Sequence, residues 1–360
     1  MKFNLKYILI FLSFILSSIS VFSQETEASI EFIEFNSDVI YGNNSSVSVH
    51  IKPRGIYKVT NFLNLGNSDV DNNEFILELS DDQGDFDTPI VLSTVYDFYT
   101  PLINGELPNN LTAGSNYKLR VKATFGLQAD GTYSEILSPE TSTFQVTEDT
   151  ISYYTDILSQ SPVNDNYFDC SSTASNDDGE GYSINNNINT IFGSLNRAEG
   201  QTTSDSGDGS VRKLYFTPNN NTYEARLIDI TFNTAIQNLN ITDPGGGFKA
   251  FEIPLNLPIA TYGVELVETN PEGISSIYSL SFLWHGDNTN LGNTTNETVC
   301  LDQIVTFSIT TNQAGIGRNY YGSYYKFNFN DGSDDQYYTH ASLMSNNEIQ
   351  HSYNIVSCNN

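Results

Sequence analysis

The chain has 360 residues, of which 38% are hydrophobic and 16% are charged, with 43 acidic side chains against 15 basic ones. At about 100–200 residues per domain, this length predicts two or three domains, and the charged fraction is too low for a disordered polyelectrolyte. The shortage of Lys and Arg excludes most nucleic-acid-binding proteins, because neutralising phosphates needs clustered basic side chains. Abundant Tyr and Phe among recurrent Asn, Asp and Gly favour an all-β chain.

The N-terminus has the pattern of an export signal. Two lysines open the chain, an apolar run extends to Leu16, and small residues precede the bond between Ser23 and Gln24. The run is shorter than the roughly 20 residues that a membrane-spanning helix needs, so we favour a cleaved signal peptide over residues 1–23 rather than a membrane anchor. We therefore expect a secreted or cell-surface protein with no transmembrane segment in its mature chain.

Alternation with period two, interrupted by Asn, Asp, Gly and Pro, predicts short antiparallel strands. Val47, Val49 and Ile51 alternate with Ser48 and His50. This alternation places His50 on the polar side of its strand, where we expect an exposed side chain.

A second stretch is more informative about the fold. Tyr117, Leu119, Val121 and Ala123 point to one face of a strand, and basic side chains point to the other. A Tyr that opens such a strand just after a Leu-x-x-Gly corner is typical of the tyrosine corner of β-sandwiches. These residues resemble a fibronectin type III or immunoglobulin-like module, which we expect over residues 24–148. The resemblance implies a fold and carries no information about a ligand.

The next stretch, residues 149–288, is predicted to be a second β-sandwich with long loops. Its first part, residues 159–210, is rich in Ser, Asn, Asp and Gly and holds only brief apolar islands. A strong turn at Asn270–Gly273 predicts a hairpin near the end of this stretch. We expect its strands at residues 211–217, 225–232, 261–268 and 277–284.

Two motifs mark residues 289–360. They are Phe-Asn-Phe-Asn-Asp-Gly-Ser over residues 327–333 and His-Ser-Tyr over residues 351–353. Together they resemble the signature of PKD domains, with Asn328 in place of the usual Asp and Asn330 in place of the first Gly. Asn tolerates the left-handed backbone conformation, so the expected fold is kept. The resemblance implies structural roles for Tyr117 in the first module and, in this one, for Phe327, Asp331, Gly332, His351 and Tyr353.

The cysteines extend this resemblance. Cys300 opens the first strand of the module and Cys358 follows its last motif, an arrangement similar to PKD-type repeats of large exported proteins of Bacteroidetes. That setting implies adhesion, gliding motility and type IX secretion. Because a PKD sandwich needs more strands after the last motif, we expect this domain to be truncated here and the protein to continue.

With three cysteines, an exported chain has at least one without an intramolecular partner. Cys300 and Cys358 flank one module and form the expected disulfide, which would stabilise the fold by about 4 kcal/mol through loop closure. The alternative is that either cysteine pairs with a partner beyond residue 360. Cys170 is then free or joins an intermolecular bridge.

Calcium is the one cofactor that the sequence suggests. Asp177, Asp178, Asp205 and Asp208 offer clustered oxygen ligands in loops, which is the chemistry that Ca²⁺ prefers. The acidic residues do not follow EF-hand spacing, and solvated turns capped by their own carboxylates are the alternative that we favour.

The sequence gives little indication of catalysis. No H-E-x-x-H, G-x-S-x-G, P-loop or G-x-G-x-x-G pattern occurs. Aromatic residues offer a possible binding face instead, although β-sandwich cores use the same residue types. The aromatic residues considered for a glycan are Trp284, Tyr320, Tyr321, Tyr324, Tyr337 and Tyr338.

The sequence therefore favours a non-catalytic modular protein that acts in adhesion or as an extracellular spacer, with an unknown surface glycan or protein as its ligand. The alternative is the N-terminal accessory region of a secreted hydrolase, with its catalytic domain beyond residue 360. A calcium-stabilised spacer is a third interpretation.

Overall fold

The computed structural model describes residues 27–69, 71–151, 157–158, 182–184, 191–196, 211–233, 236–254, 257, 260–285, 304–312 and 315–353. The described residues are mostly strands, with a single short α-helix among them, so the all-β prediction is confirmed. We call residues 27–151 the N-terminal segment, the described residues between 157 and 285 the middle segment, and residues 304–353 the C-terminal segment.

The N-terminal segment is built as a sandwich. One sheet has the order β1-β3-β6 and the facing sheet has the order β5-β4-β8-β9. Alternate residues of β3, β4 and β8 fill one apolar core between them. The strands of this segment are β1 (Ser29–Glu34), β2 (Ile40–Asn43), β3 (Ser46–Arg54), β4 (Phe75–Leu79), β5 (Ile90–Val95), β6 (Leu102–Glu106), β7 (Gly114–Tyr117), β8 (Leu119–Leu127), β9 (Tyr133–Leu137) and β10 (Phe144–Thr150).

The stretch predicted as one strand after Gly114 is two strands. β7 pairs with β10, whereas β8 pairs with β4 in the four-stranded sheet. The chain therefore changes sheet at Lys118. The predicted alternation is confirmed across that change, because Tyr117, Leu119, Val121 and Ala123 are all buried.

The middle segment is an extended, mostly antiparallel sheet, in which β13 runs parallel to β19. Its strands are β11 (Ile157–Leu158), β12 (Tyr182–Ile184), β13 (Ile191–Asn196), β14 (Val211–Phe216), β15 (Thr222–Asp229), β16 (Gln237–Gly245), β17 (Phe248–Pro254), β18 (Ala260–Thr269) and β19 (Ile274–His285). The predicted hairpin is confirmed: β18 and β19 pair from Ala260 with Trp284 to Thr269 with Ser275. Gly273 occupies the left-handed region at φ 85° in the turn, where its amide donates to the Asn270 carbonyl at 3.0 Å.

The N-terminal and middle segments share one sheet. β2 lies between β19 and β10 and runs parallel to both, which extends the path β11-β14-β17-β16-β15-β18-β19 to β2, β10 and β7. Val267 and Ile277 of the middle segment belong to the apolar core of the N-terminal one. The two segments are therefore packed as one body, while the predicted boundaries after residues 148 and 288 stay predictions.

The C-terminal segment has two small sheets and the helix. The sheets pair β20 with β23 and β21 with β22 around a core that includes Ile316 and Leu343. Thr339 caps the helix by accepting from the Ser342 amide at 3.2 Å, and Asn347 ends it in the left-handed region at φ 47°. The elements are β20 (Ile304–Ser308), β21 (Tyr324–Phe327), β22 (Gln336–Thr339), α1 (His340–Asn346) and β23 (Glu348–Ser352).

Candidate functional site

Several predicted features lie outside the described residues. These are the signal peptide, the Asp177, Asp178, Asp205 and Asp208 calcium candidates, and the Cys300–Cys358 pair. Within the ranges that the structure describes, no group of three or more His, Cys, Asp or Glu is placed to hold a metal ion. Across the same ranges, no helix has the length and apolar character needed to cross a bilayer.

The tyrosine-corner residue sits in the geometry that its name implies. The hydroxyl of Tyr117 donates to the Thr112 carbonyl, five residues upstream, at 2.7 Å. Its ring packs in the core beside Phe144, with 6.1 Å between ring centroids. Tyr117 therefore fixes the corner that precedes the change of sheet at Lys118.

The two motifs of the C-terminal segment meet in space. Asp331 Oδ2 lies 2.8 Å from His351 Nε2, and Asp331 Oδ1 accepts from the Ser333 amide at 3.0 Å. The hydrogen bonds from Ser333 and His351 lower the pKa of Asp331 to about 2. Asn330 and Gly332, at φ 55° and 82°, provide the left-handed backbone of this turn.

The other motif residues surround that hydrogen bond. His351 stacks on Phe329, with 3.7 Å between ring centroids, and its edge meets the Tyr353 ring at 4.7 Å. Phe327 packs against Tyr338 at the same core. These contacts have a structural role, because both carboxylate oxygens of Asp331 bind neighbours in its own segment.

The junction between the N-terminal and middle segments, which we call the polar junction, is held by hydrogen bonds to backbone and side-chain groups of β19. The Ser45 hydroxyl donates to the Ser275 carbonyl at 2.7 Å, and the Ser276 hydroxyl accepts from the Ser46 amide at 2.8 Å. Asn104 donates to the Ser279 carbonyl at 3.0 Å. Short polar side chains thus let β19 lie close against β2, β3 and β6.

The expectation of an exposed His50 is wrong. Its side chain is 0% exposed, because β18 and β19 cover the polar face of β3. Its ring lies against the backbone of Gly263, where even a Cβ would overlap the imidazole. Alternation correctly separates the two faces of β3, but it cannot show that a second segment buries the polar one.

His50 belongs to a cluster of ionisable side chains in which His50 and Glu265 are fully buried. His50 Nε2 lies 3.4 Å from Glu265 Oε1, an ion-pair distance without hydrogen-bond geometry. Arg226 Nε donates to Glu265 Oε2 at 2.9 Å, and the same guanidinium lies 3.3 Å from Glu34. Glu265 is itself 0% exposed, so this carboxylate, fully removed from water, joins both segments.

Burial and charge act against each other in this cluster. Burial alone would raise the pKa of Glu265, but the His50 imidazole and the Arg226 guanidinium hold that pKa below its usual value. Burial raises the pKa of Glu34, and the nearby Glu265 charge adds to that rise. Glu265 and His50 are closed to solvent, Arg226 and Glu34 are partly exposed, and Glu265 Oε2 accepts a hydrogen bond from Arg226. This arrangement is that of a structural ion pair between Glu265 and Arg226.

A different junction, which we call the aromatic junction, joins the N-terminal and C-terminal segments. Phe62 lies 5.5 Å from Tyr337 and 5.4 Å from Tyr324, measured between ring centroids. Tyr99 meets Tyr320 edge-on at 5.2 Å.

The aromatic glycan candidates therefore divide into groups. Tyr320 packs against the N-terminal core, and Tyr338 against the C-terminal one. Tyr321 and Tyr324 are 48% and 47% exposed. The side chain of Trp284 lies outside the described residues.

Neither junction was found from the sequence. The available signals were a histidine, His50, on the polar face of β3, and a carboxylate, Glu265, between Val264 and Leu266 in β18. A buried carboxylate needs a partner, but the sequence does not show which of the basic side chains supplies it.

Comparison with known proteins identifies no family. No family model matches the chain, and no curated protein matches it. Among solved structures it is similar to a tetra-tandem repeat from the extending region of a large adhesion protein, with 10% identity over 92% of this chain and 66% of that one, at a TM-score of 0.22.

Two other solved structures show comparable likeness. A Ca²⁺-stabilised adhesin of an Antarctic bacterium that binds ice is 9% identical over 80% of this chain and 53% of that one, at a TM-score of 0.22. A chimeric titin Z1Z2 is 13% identical over 73% of this chain and 99% of that one, at a TM-score of 0.18. The chain spans less than two thirds of both adhesin structures. Likeness at this level carries no argument, so the fold rests on the strands themselves.

Proposed function

We propose that this protein is a non-catalytic, exported or cell-surface protein that acts in adhesion or as an extracellular spacer. The observation that carries the proposal is the polar junction, where β2 is paired on both sides and the buried His50 and Glu265 meet the partly exposed Arg226. A junction of this kind holds two segments in a fixed orientation, which is what a spacer must do to present a binding surface at a distance. Modules move relative to each other unless a large, well-packed interface joins them, and here a shared sheet and a common apolar core join the two segments.

The remaining parts of the proposal rest on the sequence. Export depends on the predicted signal peptide over residues 1–23, and the surface location follows from it. The PKD-like character of residues 289–360, gliding motility and type IX secretion depend on the resemblance of the sequence motifs. The acidic charge of the chain is consistent with solubility outside the cell.

The test has two parts, both with the chain lacking residues 1–23. Beads coated with this protein should adhere to bacterial or polysaccharide-coated surfaces more than beads coated with an equally acidic, unrelated protein. The same preparation should show no turnover on a panel of polysaccharide, peptide and ester substrates. Adhesion equal to that of the control beads, or hydrolysis of any substrate on the panel, would contradict the proposal.

A further inference from the structure

The hairpin of β21 and β22 has an outer face with two tyrosines. Tyr324 pairs with Thr339 and Lys326 pairs with Tyr337, so Tyr324, Lys326 and Tyr337 lie on one face of the hairpin. The opposite face carries Tyr325, which fills the core of the C-terminal segment. The outer tyrosines are therefore not needed to build that core.

A residue of the N-terminal segment completes this face. Phe62 lies 5.4 Å from Tyr324 at an interplanar angle of 43°, and 5.5 Å from Tyr337 at 20°. The two tyrosine rings are 6.3 Å apart. Tyr324 is 47% exposed, and Phe62 and Tyr337 are partly exposed. We call these three rings the aromatic face.

Polar groups border the aromatic face. Lys326 Nζ lies 6.0 Å from the centroid of the Tyr337 ring and 2.6 Å from Asp335 Oδ2. Asn328 donates to the other oxygen of Asp335 at 2.7 Å. Because Asp335 neutralises Lys326, the border offers hydrogen-bond donors and acceptors without a net positive charge.

The size of the aromatic face argues against a protein partner. An aromatic side chain presents about 200 Å², so three partly exposed rings offer on the order of 200 Å² in total. A stable protein–protein interface buries about 800 Å² on each partner. The face matches instead a ligand of a few sugar rings, whose C–H surfaces stack on aromatic rings while their hydroxyls reach the polar border.

Charge decides which kind of sugar fits. The chain carries a net charge of −28, and the single cation at the border is already paired with Asp335. An anionic polysaccharide would be repelled. We propose that Phe62, Tyr324 and Tyr337, bordered by Lys326 and Asp335, bind a neutral oligosaccharide or polysaccharide. This inference rests on the proposed function and names the class of ligand for it.

The experiment is native affinity electrophoresis of the chain lacking residues 1–23, in gels that contain soluble mixed-linkage β-glucan, xyloglucan, galactomannan or dextran, with alginate as the anionic comparison. We expect slower migration in at least one neutral gel and none in alginate. Tyr324→Ala should weaken that binding at least tenfold, whereas Tyr324→Phe, which keeps the ring, should stay within about threefold of wild type.

The matched control is Tyr133→Ala, which removes another exposed tyrosine, 41% exposed, from β9 of the N-terminal segment. It should bind like wild type. Both substitutions leave the net charge unchanged, and the migration of each variant in a gel without polysaccharide is its reference, which accounts for any change in shape at the aromatic junction. Unchanged migration in all four neutral gels, equal binding by Tyr324→Ala, or slowing in alginate only would overturn the inference. If the coated beads still adhere in that case, the proposed function stands and only the aromatic face is excluded.

Discussion

The two junctions of this protein differ in the side chains that form them: one uses ionisable and hydrogen-bonding groups, and the other uses aromatic rings. The polar junction buries a carboxylate and an imidazole beside a partly exposed guanidinium, and it continues a sheet from one segment into the other. The aromatic junction has no shared strand among the described residues and leaves Tyr324 nearly half exposed.

The difference concerns what each junction can do besides holding segments together. Buried charges must be paired in one geometry, so the polar junction tolerates one orientation. Aromatic rings pack in several geometries at similar energy, and an exposed ring face remains usable for a ligand. The first junction fixes orientation, and the second combines docking with recognition.

The strongest way to break the comparison is to remove the carboxylate of the polar junction. Glu265→Ala takes away the carboxylate that faces the buried His50 and leaves Arg226 with Glu34, 3.3 Å away, and we expect a loss of about 3–5 kcal/mol in the free energy of unfolding. Denaturant unfolding followed by circular dichroism measures it. Glu31→Ala, which removes an exposed ion pair with Arg54, is the control and should cost less than about 1 kcal/mol. Equal losses in the two variants would show that the cluster is not structural.

A second prediction concerns pH and the C-terminal segment. Burial lowers the pKa of His340 to about 4, while Tyr325 lies 3.0 Å from its Nδ1. Since the unfolded chain takes up this proton near pH 6.5, stability is full above that pH and falls as the pH drops from 6.5 to 4, by up to about 3 kcal/mol. Unfolding of wild type and His340→Gln at pH 7, 5.5 and 4 tests it.

The readout is the difference in the free energy of unfolding between wild type and His340→Gln at each pH. Asp97, whose pKa burial raises to about 6, has the opposite sign, because acidification relieves its buried charge between pH 6 and 4. Asp331 loses its contribution only below pH 4, as the pH approaches about 2. A gap between wild type and variant that is the same at all three pH values would refute the prediction.

A third prediction tests the close approach of the strands at the polar junction. In Gly263→Ala the new Cβ meets the His50 ring, and we expect a loss of about 1–3 kcal/mol from overpacking. His50→Ala in the same chain should relieve the overlap, so the double variant should lose less than the sum of the two single ones. Additive losses would show that the ring and the glycine do not interact.

The smallest expected effect concerns the tyrosine corner of the N-terminal segment. Tyr117→Phe removes the hydrogen bond to the Thr112 carbonyl and should cost about 1 kcal/mol. Tyr133→Phe, on an exposed tyrosine, should leave the midpoint of thermal unfolding unchanged. An equal shift of the unfolding midpoint in both variants would show that the Tyr117 hydrogen bond does not stabilise the fold.

The sequence predicted what depends on neighbouring residues. Alternation located β3, β8 and the β18–β19 hairpin, and turn residues located Gly273 and the turn at Asp331, because these features are set within a few residues of the chain. It did not predict the change of sheet at Lys118, since a strand that leaves one sheet for another keeps the same alternation.

The junctions depend on pairs far apart in the chain. His50 and Glu265 are each unremarkable in their own strands, and only the fold brings their side chains to 3.4 Å. Phe62 lies in a short 3-10 turn whose local sequence gives no sign of tyrosines from another segment. A single sequence contains no signal for such pairings, because composition and period describe each strand alone.

The position of β2 also determines when its contacts can form during synthesis of the chain. Ile40 and Tyr41 of β2 pair with Ile274 and Ser275, so one edge of β2 has no partner until β19 has been synthesised. An unpaired edge on a nascent chain is a site for aggregation. The face of β3 that β18 and β19 later cover carries Ser46, Ser48 and His50 rather than large apolar side chains. A polar junction therefore lets the first segment stay soluble while the ribosome completes its partner.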